Sequence, residues 1–461
     1  MKNNKTFRFN DEYNPNYENM HDWELYSSSI DMEYQQLSDE GKDVSVFKKA
    51  VDVIHALPRS KAKEELAVLL GEHMHSTETV EGYPYVEPSD LAGIQAERKT
   101  SDIPVRPVPD TDILRDKIHG AWLGRICGCR LGATVECIMS DDMEYLLKAT
   151  DNYPLSRYIL RKEMNDDIYN NVKYDLKSRT FSDEITHAPI DDDTNYTVMA
   201  ALVIKRNGRD FTPQKVAATW LYEQPVTAYC TAERVAYINL INGFPPPASA
   251  MYKNPHRELI GAQIRGDYFG YINPGNPELA ADMAWRDACI SHVKNGIYGE
   301  MLVAAMLAHA AVIDDIVEII ERGLAEIPQK SRLYEHCQTV LGMFKNGATA
   351  KECFAYVNKH FDEKAWYGWT HTISNALIVI ISLLYGNLDY SKSICLAVGA
   401  CFDTDCNGAT VGSIVGMVIG AKNIPAVWSE PINNTLETSL SEMKLVKIDE
   451  LVELTMKHVV K

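Results

Sequence analysis

Asp403-Thr404-Asp405-Cys406-Asn407-Gly408 sets two carboxylates two residues apart, with apolar sequence on both sides. Burying a bare carboxylate is costly, so something must neutralise the pair. A divalent cation held by oxygen ligands would do so. On a helix the two side chains would point roughly 200° apart. They converge more easily on a turn, and Asn407-Gly408 is a turn signal. A second acidic run, Asp191-Asp192-Asp193-Thr194, precedes the apolar stretch 198–204. It reads as the opening of a helix, whose positive end suits acidic side chains. Two such runs, each beside sequence that must be buried, could share divalent ions with oxygen ligands, Mg²⁺ or Mn²⁺ by donor type.

Asp403, Asp405, Asn407 and Gly408 match the start of an EF-hand loop, but that loop needs a glutamate at its twelfth position and Ile414 stands there. A phosphotransferase Asp-x-Asp opens its fold, and too little chain follows Asp405 to build one. A plain helix cap remains open.

Two elements must position these residues. Gly120, Gly124, Gly128 and Gly132 recur at every fourth position, and so do Gly408, Gly412, Gly416 and Gly420. On a helix each set forms a bare ridge that another backbone can approach closely. The two helices are expected to pack together, with the chemistry at their ends and Glu136 just past the first.

The rest of the chain is organised around them. Phe47, Ala50, Val51 and Ile54 predict a helix that Pro58 stops, and Leu66, Leu69 and Leu70 predict another before Gly71. Residues 1–40 are polar and read as a surface wrap or a partly disordered segment. We expect an N-terminal helical extension over 1–74, a proline-rich linker or arm over 75–111, and the main body over 112–461, with 142–188 as an insertion. Period-two strands are nearly absent, which predicts an all-α fold, an orthogonal multi-helix bundle. A net charge of −18 with no basic stripe argues against a nucleic-acid partner. The first residues, MKNNKTFRFNDEYN, have no apolar core for a signal peptide. No apolar run reaches the roughly 20 residues of a membrane span. The 10 cysteines are scattered, as reduced thiols of a cytoplasmic protein would be.

The ridge ending in Glu136, then Asp192-Asp193-Thr194, then Asp403-Thr404-Asp405 before a Gly/Ala helix resembles the ADP-ribosylglycohydrolases over roughly residues 112–425. The resemblance implies an all-α bundle with two Mg²⁺ ions (Mn²⁺ as a substitute), ligated by Asp192, Asp193, Asp403 and Asp405; Asp191 and Cys406, beside them, are further candidate ligands. It implies hydrolysis of the bond between ADP-ribose and an acceptor, with Glu136 or Asp193 activating water or protonating the leaving group. The partner would be an ADP-ribosylated acceptor or a small ADP-ribose derivative. A hydrolase of nucleoside-like N-glycosides and a non-catalytic ADP-ribose-binding scaffold are the alternatives. Three positions depart from the family pattern: Asp191 replaces a Thr, Cys406 replaces a Thr, and Cys129 stands where many members have Asp. A thiol is a poor ligand for Mg²⁺.

Further candidates for substrate contact are His292, Asn295, Gly296 and Tyr298: Asn295-Gly296 reads as a phosphate-binding or a plain turn, His292 as a ribose or pyrophosphate contact or a hydrogen-bonded histidine at a helix end, and Tyr298 as an adenine platform or core. Arg265 reads as a phosphate clamp or a surface ion pair, and Trp369 as an adenine platform or core. His371 and Asn375 share a helical face and would line the pocket or cap a buried network.

Overall fold

Glycine at every fourth position does what the ridge pattern requires. In the computed structural model, which describes residues 15–99 and 106–459, the helices Thr111–Ala133 and Thr404–Ile419 run antiparallel in direct backbone contact. A methyl group on Gly120 would overlap the carbonyl of Gly416, one on Gly124 that of Gly412, and one on Gly128 that of Gly408. The clashes are reciprocal from the other helix. At the far end Gly132 lies against the backbone of Thr404 and Asp405, and Thr404 Oγ1 donates to Gly132 O at 2.9 Å. The expected pairing of the two ridges is therefore present, and it carries the acidic run to the end of the first helix.

The chain divides into two units. The first runs to Tyr83 and takes in Lys253–His256; the second holds Pro84–Tyr252 and the chain from Arg257 onward. In the first unit, helices Ile30–Asp39, Lys48–Ala56 and Lys61–His75 enclose a small core of Ile30, Leu37, Val51, Ala67 and Met74. Residues 15–40 are thus not a polar surface wrap, because Ile30 and Leu37 are buried. Gly71 lies inside its helix, against Tyr26, rather than ending it. The signal-peptide reading concerned residues outside the described ones.

Among the described residues, the regular structure of the second unit is helical apart from one short antiparallel pair, Thr435–Glu437 with Leu445–Lys447. The all-α expectation is met. Its central helices, Asp192–Asn207, Lys294–Ala310, Thr372–Gly386 and Thr404–Ile419, are buried along nearly their whole length. That is why they are apolar all round rather than striped. The proline-rich arm from residue 84 is bonded to this unit: Val86 N donates to Lys330 O and Gln329 N to Glu97 O. Glu87 pairs with Arg332 at 2.8 Å. Residues 142–188 pack inward through Tyr158, Ile159, Ile168 and Phe181. Among the described residues, no helix is long and apolar enough to cross a membrane.

Candidate metal centre and active site

Helix starts bring the acidic runs together. Asp191 is the N-cap of Asp192–Asn207, and its carboxylate accepts the backbone N–H of Asp193 at 3.0 Å. Asp403 is the N-cap of Thr404–Ile419 and Asp405 lies in its first turn. The expected turn at Asn407-Gly408 is absent, since both residues are inside the helix. Gly408 serves the contact with Gly128 instead. The reversal occurs earlier, at Cys401 and Phe402, which have φ of 62° and 58°. Such left-handed non-glycine residues cost about 1 kcal/mol or more each and persist where the surroundings impose them. Asn375 helps impose them: its Oδ1 accepts Asp403 N–H at 3.2 Å and Asn407 Nδ2–H at 2.8 Å. Its own amide donates to Trp369 O and His371 O.

Potential ligand atoms of Asp191, Asp192, Asp193 and Asp405 all lie within 4.8 Å of one another. Two further groups overlap with this one: Cys129 with Asp191 and Asp193, and Cys406 with Asp193 and Asp405. Asp403 joins none of these groups, but it neighbours Asp405, Cys406 and Glu136 closely enough to interact with each. Asp193 is fully buried and Asp405 nearly so. Asp193 Oδ2 and Asp405 Oδ1 have no hydrogen-bond partner. Orphaned carboxylate oxygens in an acidic interior fit a divalent cation.

Without a cation, protons must take its place. Burial pushes Asp192, Asp193 and Asp405 well above the usual carboxylate range, and neighbouring carboxylates add to the effect. Asp403 is pushed up to about 7, by burial first and then by Glu136.

A buried arginine holds the centre from below. Arg125 donates from Nη2 to Asp193 O at 2.8 Å and to Asp193 Oδ1 at 3.2 Å. Its Nη1 pairs with Asp267 at 3.0 Å. It is not among the candidates that the sequence offers. Its signal was an arginine in the middle of a glycine-ridge helix, where no solvent can reach.

Beside the cluster is a pocket of about 240 Å³ whose wall includes Arg130, Glu136, Arg179 and Asp191. Arg179 Nη1 donates to Glu136 Oε2 at 3.0 Å, and its Nη2 donates to Glu136 O at 3.1 Å. Burial raises the Glu136 carboxyl, Asp191 raises it further, and Arg179 opposes both. Ser178, Arg179 and Thr180 of the 142–188 segment also line it.

His292, Asn295, Gly296 and Tyr298 do not line this pocket. Asn295 and Gly296 lie in the first turn of Lys294–Ala310, not in a phosphate-binding loop. Asn295 donates to Glu87 and Glu258 and accepts from Leu333 N–H. Tyr298 donates its hydroxyl to Pro88 O, and His292 Nδ1 bonds Ser291 Oγ at 2.8 Å. Arg265 is neither a phosphate clamp nor a surface pair. It is buried and paired with Asp287 and Glu233. Trp369 is buried beside Trp366.

A sequence profile described as ADP-ribosylglycohydrolase matches residues 110–458. The chain belongs to the ADP-ribosylglycohydrolase family. Membership supports a glycosyl hydrolase of the ADP-ribosylglycohydrolase type. Among solved structures, one titled "ADP-ribosylglycohydrolase-related protein complex" is similar at 17% identity and a TM-score of 0.42. The match covers 75% of this chain and 98% of that one. No curated protein matches the chain. The ADP-ribosylglycohydrolase profile spans every residue of the acidic centre and its pocket.

Proposed function

We propose that this chain hydrolyses the glycosidic bond between ADP-ribose and an acceptor, at a centre where Asp191, Asp192, Asp193, Asp403 and Asp405 hold divalent ions. The observation that carries the reading is the convergence of the two acidic runs, with orphaned oxygens on Asp193 and Asp405, beside a pocket that carries Glu136. A divalent ion, when bound, supplies positive charge that orients ribose oxygens and a water. The carboxylates suit Mg²⁺ or Mn²⁺; the thiols of Cys129 and Cys406 do not.

The chain's own groups divide the work. Glu136 is the half-buried carboxyl on the pocket wall, so it is the group that moves a proton between water and the leaving acceptor. Arg179 keeps it aimed and balances its charge. Asp193 is fully buried and held by Arg125, which suits a ligand better than a proton carrier.

The test is release of ADP-ribose from an ADP-ribosylated peptide by metal-loaded protein, paired with calorimetric titration of ADP-ribose. Release that depends on the ion and is lost in Asp405→Ala and Glu136→Gln supports the reading. ADP-ribose binding with no turnover under any divalent ion overturns it in favour of a binding scaffold. Turnover only of glycosides lacking the pyrophosphate overturns the substrate assignment.

A further inference from the structure

Two thiols, Cys129 and Cys406, sit among the carboxylates of the acidic set. Cys129 and Cys406 are 3% and 5% exposed. Each offers its sulfur within 4.8 Å of an Asp193 oxygen, Cys129 together with Asp191 and Cys406 together with Asp405. The chain's other buried cysteines do not join such a group among the described residues. A buried free cysteine ordinarily behaves as a small apolar side chain. Its S–H is a weak donor, so a hydroxyl would serve a carboxylate better in both positions. Mg²⁺ seeks near-octahedral oxygen and gains little from sulfur. Zn²⁺ accepts thiolate and carboxylate together, at about 2.3 Å and about 2.0–2.2 Å. The orphaned oxygens of Asp193 and Asp405 indicate a cation independently of the thiols.

We propose that the centre is a mixed carboxylate–thiolate site, in which Cys129 and Cys406 ligate from two sides of Asp193, and that it takes a thiophilic ion such as Zn²⁺ in preference to Mg²⁺. The inference rests on reading the acidic set as a metal centre. At each cysteine the S–H bond breaks, a metal–sulfur bond forms, and the proton leaves to solvent. The added negative charge strengthens the hold on a dication. Asp193 is the shared carboxylate, which is why Arg125 has to fix its position.

The experiment uses full-length protein stripped of metal under reducing conditions and titrated with Co²⁺. Thiolate ligation gives an intense near-ultraviolet sulfur-to-cobalt absorption that oxygen ligation lacks. The wild type is expected to show this band. Its intensity should fall by about half in Cys129→Ser and in Cys406→Ser and vanish in the double variant, given equal donation by the two thiols. Zn²⁺ should displace Co²⁺ at a concentration at least about 1,000-fold below that of Mg²⁺. Co²⁺ binding without the band in the wild type overturns the inference, a result that does not depend on whether the variants fold. So does a band that survives in the double variant, or displacement by Mg²⁺ as readily as by Zn²⁺. Bound Co²⁺ without the band leaves the proposed hydrolysis standing, because oxygen ligation suffices for it. Failure to bind any divalent ion removes both.

Discussion

The side-chain oxygen of Asn375 receives the backbone N–H of Asp403 at 3.2 Å, across 28 positions of sequence. It also holds Asn407, one turn further on. One amide therefore ties the helix Thr372–Gly386 to the start of the acidic helix and to the left-handed turn before it. Asn375→Ala is expected to cost about 1–3 kcal/mol of stability, since it strands a buried donor. Metal affinity should fall about 10–100-fold, as for other supports of metal ligands. Chemical unfolding and metal titration of the same sample check both.

The contact between the glycine helices tolerates no side chain. Gly124→Ala or Gly412→Ala forces a methyl into a facing carbonyl and should cost more than the roughly 1–3 kcal/mol of ordinary overpacking. Gly342, in the last turn of Arg332–Lys345, has open space at its Cβ position. Gly342→Ala should stabilise by about 0.4–1 kcal/mol. Urea midpoints of the variants, measured together, decide whether position or residue type matters.

Arg125 is the sole guanidinium paired with both Asp193 and Asp267 among the described residues, and all three are fully buried. Removing one partner of a buried ion pair leaves charge uncompensated. Arg125→Met should destabilise the metal-free protein by about 3–5 kcal/mol. The loss read from equilibrium unfolding should shrink in Asp267→Asn/Arg125→Met, which also removes one stranded carboxylate.

The acidic centre predicts opposite pH trends with and without metal. Asp403 rises from 3.8 to about 7 on folding, through burial and the nearby Glu136. The folded chain then binds its proton more tightly than the unfolded chain. That stabilisation is complete below about pH 4 and is lost as pH climbs through about 7. Asp192, Asp193 and Asp405 shift in the same direction. A bound cation must displace these protons, so its stabilising effect should grow from acid to neutral pH. Melting temperatures with a chelator and with added ion, across pH 5 to pH 8, test the trend. A metal effect that does not change with pH would contradict it.

Much of this centre could be read from the chain alone. Four-residue glycine spacing has one strong physical meaning, a helix face built for close backbone approach, and Gly120–Gly132 meets Gly408–Gly416 as expected. Carboxylates beside apolar runs had to be neutralised, so Asp191–Asp193 and Asp403–Asp405 stood out before any fold was known. Local turn chemistry misled at Asn407-Gly408 and at Asn295-Gly296. Both pairs lie inside helices, because tertiary contacts of Gly408 with Gly128, and of Gly296 with Arg257 O, outweigh a weak preference for turning.

Buried charge was the other limit. A lone arginine in sequence reads as solvated, yet Arg125 and Arg265 are both inside, paired with acids 68 and 22 positions away. Periodicity and composition report what a segment prefers by itself, and so they established the helices, the ridges and the acidic clusters. Which side chains meet, and so which carboxylates, thiols and guanidiniums share one small volume, depends on contacts far apart in sequence. Only packing decides those, because the energy of a buried charge belongs to its partners and not to its own residue type.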